Sequence, residues 1–477
     1  MTVTAPDWGR LSSQLRGDVV LPADPGYDLA RQLHLAEFDR FQPRGIAYCE
    51  SADDVAAAIA FAVAHGIPVH PRSGGHSLTG TSSGPGLIVD TSRIAHVRLD
   101  GSTARFGPGL LSVDGVNALR GGPYQLVTGT FPTVAAAGFV TGGGIGLQSR
   151  TFGLAADRLL SATVVLADGR TVRTSEKEEP DLFWALRGGG AGFGVVVEFE
   201  SEAVHAPQGV HFSTMWAWPD AHRVLEAWQA WIASAPREIG SSVLVVLPDA
   251  AADAVPLVQV AGVCWGSREL LDEALGAFVS ATGATPEATD VAELPYADVL
   301  MRVYGCEGMT PEECHRVGHG HDARVERIGT QRERHRVFDR PLGGAALGRA
   351  LEVFDADRRT GHTRYLWMNT ANGAVRDAGR SETAFWHRDA EYLIGYANLV
   401  PDGAPHPEEE QAMRDWVDRG FAVLDPESNG GAYVNFPDPA LPDAPHAYFG
   451  DNLARLLSVK SAYDSGDVFA FAGGTAR

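Results

Sequence analysis

His76 directly follows two adjacent glycines in the segment Pro-Arg-Ser-Gly-Gly-His-Ser, residues 71–77. Adjacent glycines let the backbone turn so that successive N–H groups face one anion. The charged and hydroxyl side chains suit a pyrophosphate, and the imidazole would lie beside whatever group that pyrophosphate carries. The candidate anion-binding residues are Arg72, Ser73, Gly74, Gly75, His76 and Ser77. An ordinary glycine turn is the alternative that this segment alone leaves open.

Small residues dominate a second segment, residues 127–146, which ends in Thr-Gly-Gly-Gly-Ile-Gly. Without large side chains, a flat ring or an extended dinucleotide can lie against bare backbone. The candidate binding residues here are Thr128, Gly129, Thr133, Val134, Gly138, Gly142, Gly143, Gly144 and Gly146. Taken alone, this segment fits a glycine-rich hinge loop better.

A third glycine-rich segment, residues 187–194, follows a predicted helix and leads into a buried, β-branched strand. A glycine run of this kind is weak evidence for a dinucleotide-binding Rossmann fold. No compact βαβ unit surrounds it, and we therefore reject that fold.

Alternating helix and strand signals surround the His76 segment. Ser51 is a good N-cap for a helix over residues 55–65 that stops at Gly66. Apolar runs predict strands over residues 67–70, 87–90 and 161–167. These elements predict an α/β portion that extends to about residue 205.

The pattern changes after residue 208. Strands are predicted over residues 212–218, 242–247, 258–265, 365–369 and 391–396, with helices over 221–233 and 268–280. Apolar strands with helices on one face predict an antiparallel sheet covered by helices. The expected class is therefore α+β, with domains over residues 1–205 and 206–430 and a C-terminal return to the first domain over 431–477.

In this order, the three glycine-rich segments resemble the vanillyl-alcohol-oxidase-type (PCMH-type) FAD-binding fold, and within it the berberine-bridge-enzyme-like oxidases of bacterial specialised metabolism. Further matching segments are Arg150–Asp157, Asp181–Gly190, Phe193–Val196, Ala432–Asp438 and Tyr448–Leu456. The resemblance implies that FAD binds in an extended pose in the first domain. It also implies that Asp157 and Val196 join the cofactor-binding residues named above.

The resemblance further implies how the flavin is held. In this family, the histidine matched by His76 is bonded covalently to the flavin 8α carbon, and many members also bond a cysteine to flavin carbon 6. Phe131 stands at that cysteine position. We therefore expect FAD to be attached through His76 only. A covalent imidazole withdraws electrons from the flavin, which makes the oxidised ring a better hydride acceptor.

Tyr433 and Asn435 lie where the chain should return to the first domain, and relatives place polar side chains from this region beside the flavin. Tyr433 is the candidate catalytic base, once a neighbouring cation lowers its pKa, or a hydrogen-bonding partner of the substrate. The alternative is a buried tyrosine with a satisfied hydroxyl. Tyr433 and Asn435 are also cofactor-binding candidates, Asn435 through the flavin or its ribityl chain, whereas His387 is expected to be structural.

The leading functional hypothesis is a flavin oxidase. It would take a hydride from a C–H next to oxygen or nitrogen in a small-molecule natural product, and molecular oxygen would reoxidise the flavin to give hydrogen peroxide. Two other classes stay open: a flavin-bearing protein that binds or confers resistance to a natural product, and a flavin-dependent oxygenase.

Composition limits the partners. The formal net charge of −21 over 477 residues argues against nucleic acid or an anionic membrane as a partner. No apolar run approaches the ~20 residues of a membrane span. Residues 1–8 lack the features of a signal peptide, which predicts a cytoplasmic enzyme. The oligomeric state stays open.

Four cysteines are too few and too scattered to predict a disulfide framework. A cluster of potential zinc ligands follows residue 305, but its spacing matches no standard site. Its members are Cys306, Cys314, His315, His319 and His321. We therefore predict no metal and a solvated loop at this position.

Overall fold

The computed structural model describes residues 6–473. The expectation that no signal peptide begins the chain rests partly on residues 1–5, which lie outside the described residues. Within the described range, no helix combines the length and apolar character that crossing a lipid bilayer requires.

The His76 loop extends from a small four-stranded sheet. The strands are β1 (Val19–Val20), β2 (Gly45–Tyr48), β3 (Val69–Arg72) and β4 (Leu87–Asp90), in the order β1-β2-β4-β3. The accompanying helices are α1 (Trp8–Gln14), α2 (Tyr27–Ala30) and α3 (Ala52–Ala64). The Ser51 hydroxyl accepts a hydrogen bond from the Asp54 N–H at the start of α3, as the sequence predicts. The His76 loop follows the carboxyl end of β3, the edge of a parallel sheet where ligand-binding loops gather.

A second sheet follows in the chain. The next strands are β5 (Val97–Asp100), β6 (Thr103–Phe106), β7 (Tyr124–Gln125), β8 (Leu159–Val165), β9 (Thr171–Ser175), β10 (Val195–Glu202) and β11 (Val204–His205). Short β7 and β11 pair with each other, and the rest form an antiparallel sheet in the order β5-β6-β10-β8-β9. The helices of this region are α4 (Ser112–Ala118), α5 (Ala136–Thr141), α6 (Ser149–Phe152) and α7 (Pro180–Leu186). The glycine-rich segment 142–146 therefore lies between α5 and α6.

A seven-stranded antiparallel sheet forms most of the rest. Its strands are β12 (Gln208–Trp216), β13 (Ile239–Leu247), β14 (Leu257–Cys264), β15 (Ala288–Pro295), β16 (Thr330–Phe338), β17 (Thr363–Thr370) and β18 (Tyr392–Val400). The spatial order is β15-β12-β14-β13-β17-β18-β16. The helices are α8 (Ala221–Ser234), α9 (Arg268–Thr282), α10 (Tyr296–Val303), α11 (Gly344–Asp355) and α12 (Pro407–Leu424), followed by α13 (Ala444–Phe449) and α14 (Leu453–Tyr463).

The two faces of the large sheet pack against different partners, because side chains alternate along each strand. Val243 and Ile394 point to one face and join the largest apolar core with residues of α8, α11 and α12. Leu244 and Trp367 belong to a separate cluster that includes Ile145 and residues of the C-terminal return. The sheet therefore separates a helical layer from the glycine-rich segment.

The α+β class and the antiparallel sheet covered by helices are confirmed. Every strand predicted after residue 208 overlaps an observed one, whereas β15 and β16 were not predicted. β16 reads Thr-Gln-Arg-Glu-Arg-His-Arg-Val-Phe, and its charged residues obscure the strand pattern. The division into domains after residues 205 and 430 stays a prediction.

The segment after residue 305 is a solvated loop only in part: residues 317–322 are exposed as predicted, whereas the part around Cys306 and Cys314 is not. Both cysteines are buried and joined by a disulfide bond. His315 Nε2 lies 2.8 Å from Asp114 Oδ1, and Arg316 Nη1 donates a hydrogen bond to Leu33 O. The segment is thus docked on helix α4 and on the loop that follows α2. Whether two cysteines form a disulfide bond depends on the distance between them in the folded chain, which the number of cysteines in the sequence does not reveal.

Arg150 links the region of the glycine-rich segment to helix α8. Its two terminal nitrogens donate to the main-chain oxygens of Ile232, Ala235, Pro236 and Ile239, at 2.6 to 3.0 Å. The last carbonyls of a helix have no partner within the helix, so a cation there satisfies them and interacts favourably with the helix dipole.

We expect Arg150→Met to destabilise the fold by about 3 kcal/mol, because it leaves several buried carbonyls without donors. A thermal melt of the purified protein measures the change. The matched control is Arg268→Met, which removes an exposed pair with Asp272 on α9 and should cost less than about 1 kcal/mol. Equal melting temperatures for the two variants would contradict the structural role of Arg150.

Candidate active site

The candidate site lies where four parts of the chain meet: the His76 loop, the glycine-rich segment, the large sheet and the C-terminal return. The Tyr433 hydroxyl lies 3.0 Å from the Gly144 nitrogen, and the Phe436 ring packs 5.7 Å from that of Trp367 on β17. A cavity of about 300 Å³ opens beside Leu78, two residues after His76, and is lined by Phe436 and by residues of β16 and α12.

His76 is held by three neighbours. Its Nε2 atom lies 2.6 Å from the Thr133 hydroxyl oxygen. The ring of His34 stacks on it with 3.9 Å between centroids, and the Phe131 ring meets it edge-on at 5.2 Å. The structure therefore brings together His76, Thr133 and Phe131, which lie in two separate segments of the sequence.

The electrostatic surroundings keep His76 neutral. Burial, together with the nearby His34 and Arg316, holds the pKa of His76 well below its usual value of 6.5. A neutral imidazole has one nitrogen with a free lone pair. When Nε2 donates its hydrogen to Thr133, that lone pair is on Nδ1, and the ring is a nucleophile at neutral pH.

The loop carries unsatisfied polar atoms that fit an anionic cofactor. Arg72 is buried in an ion pair with Asp90, and its Nη2 atom donates to Ala30 O at 2.8 Å. Its Nη1 atom and the hydroxyls of Ser82 and Ser83 are buried with no partner among the described residues. Buried polar groups are rarely left unpaired, so these donors fit the phosphates of a bound dinucleotide. Arg72 is first of all the partner of Asp90, a role that the sequence does not reveal.

The glycines of segment 142–146 are required by the protein itself. A Cβ atom at Gly142 would lie 2.0 Å from Asn435 Oδ1, and one at Gly146 would lie 2.0 Å from Thr128 O. Side chains at Gly143 and Gly144 would collide with Phe385 and with Ala155. These four glycines thus permit close packing of the chain on itself. The sequence predicts glycine backbone against which a cofactor can lie. Gly138 fits that prediction, because a Cβ atom there would meet no atom within 4 Å.

The remaining predicted positions divide between loop and scaffold. Gly74 could not carry a Cβ without meeting Ala135, and Gly75 has a φ of +68°. Ser73 and Ser77 are partly exposed in the loop. Four other positions contact the protein itself. Gly129 packs on Phe139, and the Thr128 N–H donates a hydrogen bond to the Gln148 side chain. Val134 O accepts a hydrogen bond from Ser112, and Val196 pairs with Val164 in a core strand. Their contacts with the cofactor stay predictions.

Asp157 has a structural role, and its predicted cofactor contact stays a prediction. Its Oδ1 and Oδ2 atoms accept hydrogen bonds from the guanidinium of Arg388, at 2.6 and 2.8 Å, and Oδ2 also accepts from the Leu154 N–H. The Arg388 side chain is 1 % exposed. This ion pair ties the glycine-rich region to the segment before β18, and it leaves the carboxylate with little capacity for another ligand.

The prediction that a cation lowers the pKa of Tyr433 is wrong. The Tyr433 hydroxyl accepts hydrogen bonds from the Gly144 and Ile145 N–H groups and from the Asn435 amide. Burial raises the pKa of Tyr433 above its usual value of 10. The hydroxyl's own hydrogen has no acceptor among the described residues, so the roles of Tyr433 as a catalytic base or as a hydrogen-bonding partner of the substrate stay predictions. Asn435 also donates to Phe139 O at 3.1 Å, so both residues fasten the C-terminal return to the glycine-rich segment.

His387 is structural, as expected. Its Nε2 atom lies 2.8 Å from Ala432 O, and burial lowers the pKa of His387 to about 4.

Glu333 on β16 is a site residue that the sequence did not reveal. It lines the cavity, accepts a hydrogen bond from the Gln331 amide, and is hydrogen-bonded by the indole N–H of Trp367. Burial raises the pKa of Glu333 to about 7. A carboxylate poised near neutral pH is suited to general base catalysis. The sequence contained one signal for Glu333, an acid between Arg332 and Arg334, but that segment was not predicted to be a strand.

Glu333 is also distinct among the acids of the cavity, which is lined by five carboxylates and four arginines. The other four acids are paired with arginines on β16: Glu37 and Glu410 with Arg332, and Asp418 and Asp438 with Arg334. Among the described residues, Glu333 has only neutral hydrogen-bond donors. It is thus the acid that stays available to a ligand.

Comparisons with known proteins agree with this geometry. Residues 43–175 match the family model described as an FAD binding domain, and residues 432–474 match the model described as berberine and berberine like. The two matches contain the His76 loop, the glycine-rich segment and the C-terminal return with Tyr433.

Individual relatives extend the match over the whole chain. The chain is 27% identical over 471 residues to the uncharacterized FAD-linked oxidoreductase YgaK of Bacillus subtilis, covering 96% of each. It is 37% identical over 201 residues to (R)-6-hydroxynicotine oxidase of Paenarthrobacter nicotinovorans, covering 41% of this chain and 43% of that protein.

A solved structure also matches the chain. Glucooligosaccharide oxidase from Acremonium strictum superposes with a TM-score of 0.83 at 25% identity, covering 98% of this chain and 99% of that one. That protein is described with a 6-S-cysteinyl, 8α-N1-histidyl FAD. With the two domain matches and the full-length relatives, the chain belongs to the berberine-bridge-enzyme-like family of FAD-linked oxidoreductases.

Proposed function

We propose that the protein is an oxidase that carries FAD on His76 alone and oxidises a small molecule at a C–H next to oxygen or nitrogen. The observation that carries the proposal is the arrangement of two functional groups: a neutral imidazole in the His76 loop, and a carboxylate without a cationic partner among the described residues, Glu333, in a cavity that Leu78 of the same loop lines. FAD, when bound, supplies the hydride acceptor and its reoxidation by molecular oxygen, with hydrogen peroxide as the second product.

Single attachment is supported by the residue at the second position. The related glucooligosaccharide oxidase has both a cysteinyl and a histidyl link. Phe131 of this chain stands at the predicted cysteine position, edge-on to His76. A phenyl ring offers no nucleophile for a second bond, so Phe131 contributes packing against the imidazole and His76 provides the link.

Glu333 is the proposed proton acceptor. Its ionised form, present above pH 7, can take the O–H or N–H proton of the substrate as the hydride leaves the adjacent carbon. Gln331 and Trp367 donate to the carboxylate and hold its orientation. The names of the relatives cover both substrate types, a sugar C–H next to oxygen and an amine C–H next to nitrogen.

We expect His76→Ala to abolish acid-stable flavin. Wild-type protein precipitated with trichloroacetic acid should give a yellow pellet, whereas the His76→Ala pellet should be colourless with its FAD in the supernatant. The matched control is His65→Ala at the end of α3, which should stay yellow. A colourless wild-type pellet would contradict the covalent link, and a yellow His76→Ala pellet would place it elsewhere.

We expect Glu333→Gln to lower kcat/KM by about 10² to 10⁴, the usual contribution of a general base. In the wild type, kcat/KM should rise with pH through about 7, since the base acts when deprotonated. The variant should lose this rise. Peroxide release with a substrate found by screening amines and sugars measures both. The control Glu226→Gln changes an exposed acid on α8 and should keep the wild-type profile.

The same assay separates the three classes of function. Peroxide equal to product supports an oxidase. Less peroxide than product would indicate an oxygenase, and flavin that binds a ligand without being reduced would indicate a sequestering protein.

A further inference from the structure

A second histidine lies directly against His76. The rings of His34 and His76 are stacked, with 3.9 Å between centroids and 19° between planes. Phe131 meets both rings edge-on, at 5.1 Å from His34 and 5.2 Å from His76. His76 is thus enclosed on one face by His34, at one edge by Phe131, and at Nε2 by Thr133.

The peptide group that joins Leu33 to His34 is hydrogen-bonded at both its oxygen and its N–H. Its backbone N–H donates to Gly75 O at 3.0 Å, one residue before His76. The oxygen of the preceding residue, Leu33, accepts hydrogen bonds from Arg316 and Arg327 at 3.1 and 2.8 Å. The backbone that carries the stacked ring is therefore held by the His76 loop and by the segment before β16.

Among the described residues, the His34 ring has packing partners but no hydrogen-bond partner for its Nδ1 atom. The residue is 4% exposed, and its Nδ1 atom is buried without a hydrogen-bond partner among the described residues. A buried polar atom left unpaired is costly, so the ring is not placed for its own hydrogen bonds. Burial and the two arginines lower the pKa of His34 to about 4, so the stacked pair carries no repelling charges at neutral pH.

We propose that His34 is a positioning residue that holds the plane of the His76 ring, so that its nucleophilic nitrogen is aligned for covalent attachment of FAD. This inference rests on the proposed attachment at His76. Attachment would form one N–C bond as a C–H bond of the flavin 8α methyl group and the imidazole N–H bond are lost; the two electrons and two protons would pass to the flavin ring, and molecular oxygen would reoxidise it to give hydrogen peroxide. With His34 on one face and Thr133 at Nε2, the ring can neither tilt nor flip without losing a contact. Alignment of a nucleophile in this way raises the rate of bond formation, because fewer orientations are unproductive.

The test follows covalent attachment, not turnover. Wild type, His34→Ala and His34→Phe are purified as full-length proteins and incubated with saturating FAD. The acid-stable fraction of the flavin is measured over time by fluorescence in denaturing gels. Total bound FAD and the melting temperature are measured on the same samples. His76→Ala and His65→Ala are the negative and positive controls.

We expect His34→Ala to bind FAD but to attach it about 10- to 100-fold more slowly, as misalignment of a reacting group does. The FAD should move from the acid pellet to the supernatant. His34→Phe preserves a flat ring against His76 and should restore attachment to near the wild-type rate, which a general loss of stability would not allow.

Three results would overturn the inference. Attachment in His34→Ala at the wild-type rate would show that the stack is unnecessary. A His34→Phe protein as slow as His34→Ala would show that the ring plane is not what matters. Loss of total FAD from His34→Ala at an unchanged melting temperature would show that His34 binds the cofactor and does not position His76. Acid-stable flavin in His76→Ala would instead refute the proposed attachment itself.

Discussion

The structure depends on one close approach, that of the C-terminal return to the glycine-rich segment. The Tyr433 hydroxyl accepts two main-chain N–H groups there, and Asn435 lies so near that Gly142 has no room for a side chain. Phe436 then packs on Trp367 of the large sheet. Three regions far apart in sequence are thereby fixed to one another, and the cavity between the His76 loop and β16 is a consequence of that arrangement.

In this arrangement, several polar residues that could contact a ligand are bound to groups of the protein itself. Arg72, Asp157 and Tyr433 have the chemistry of cofactor or substrate contacts, yet each is engaged by a protein partner that the chain supplies: Asp90, Arg388 and the Gly144 backbone. Other groups keep more capacity for a ligand: the imidazole of His76, the unpaired donors around its loop, which include Arg72 Nη1, and the carboxylate of Glu333, which has no cationic partner among the described residues.

The fold was largely predictable because its elements follow local rules. Ser51 caps α3, and the apolar strands of the large sheet alternate as expected. The His76 loop was predictable too, since adjacent glycines beside a histidine are a local signal. Contacts between residues distant in sequence were not predictable. The Asp157–Arg388 pair, the Cys306–Cys314 bond and the His34–His76 stack each depend on which residues the fold brings together. Glu333 was missed because β16 is rich in charge and lacks a strand pattern.

The proposed oxidase depends on a bond between one imidazole nitrogen and the flavin, and peptide mapping of the native holoenzyme by mass spectrometry tests that bond most directly. We expect one flavin adduct, located on His76, and an unmodified peptide containing Phe131. Flavin recovered entirely as free FAD, or an adduct located on any other residue, would contradict it.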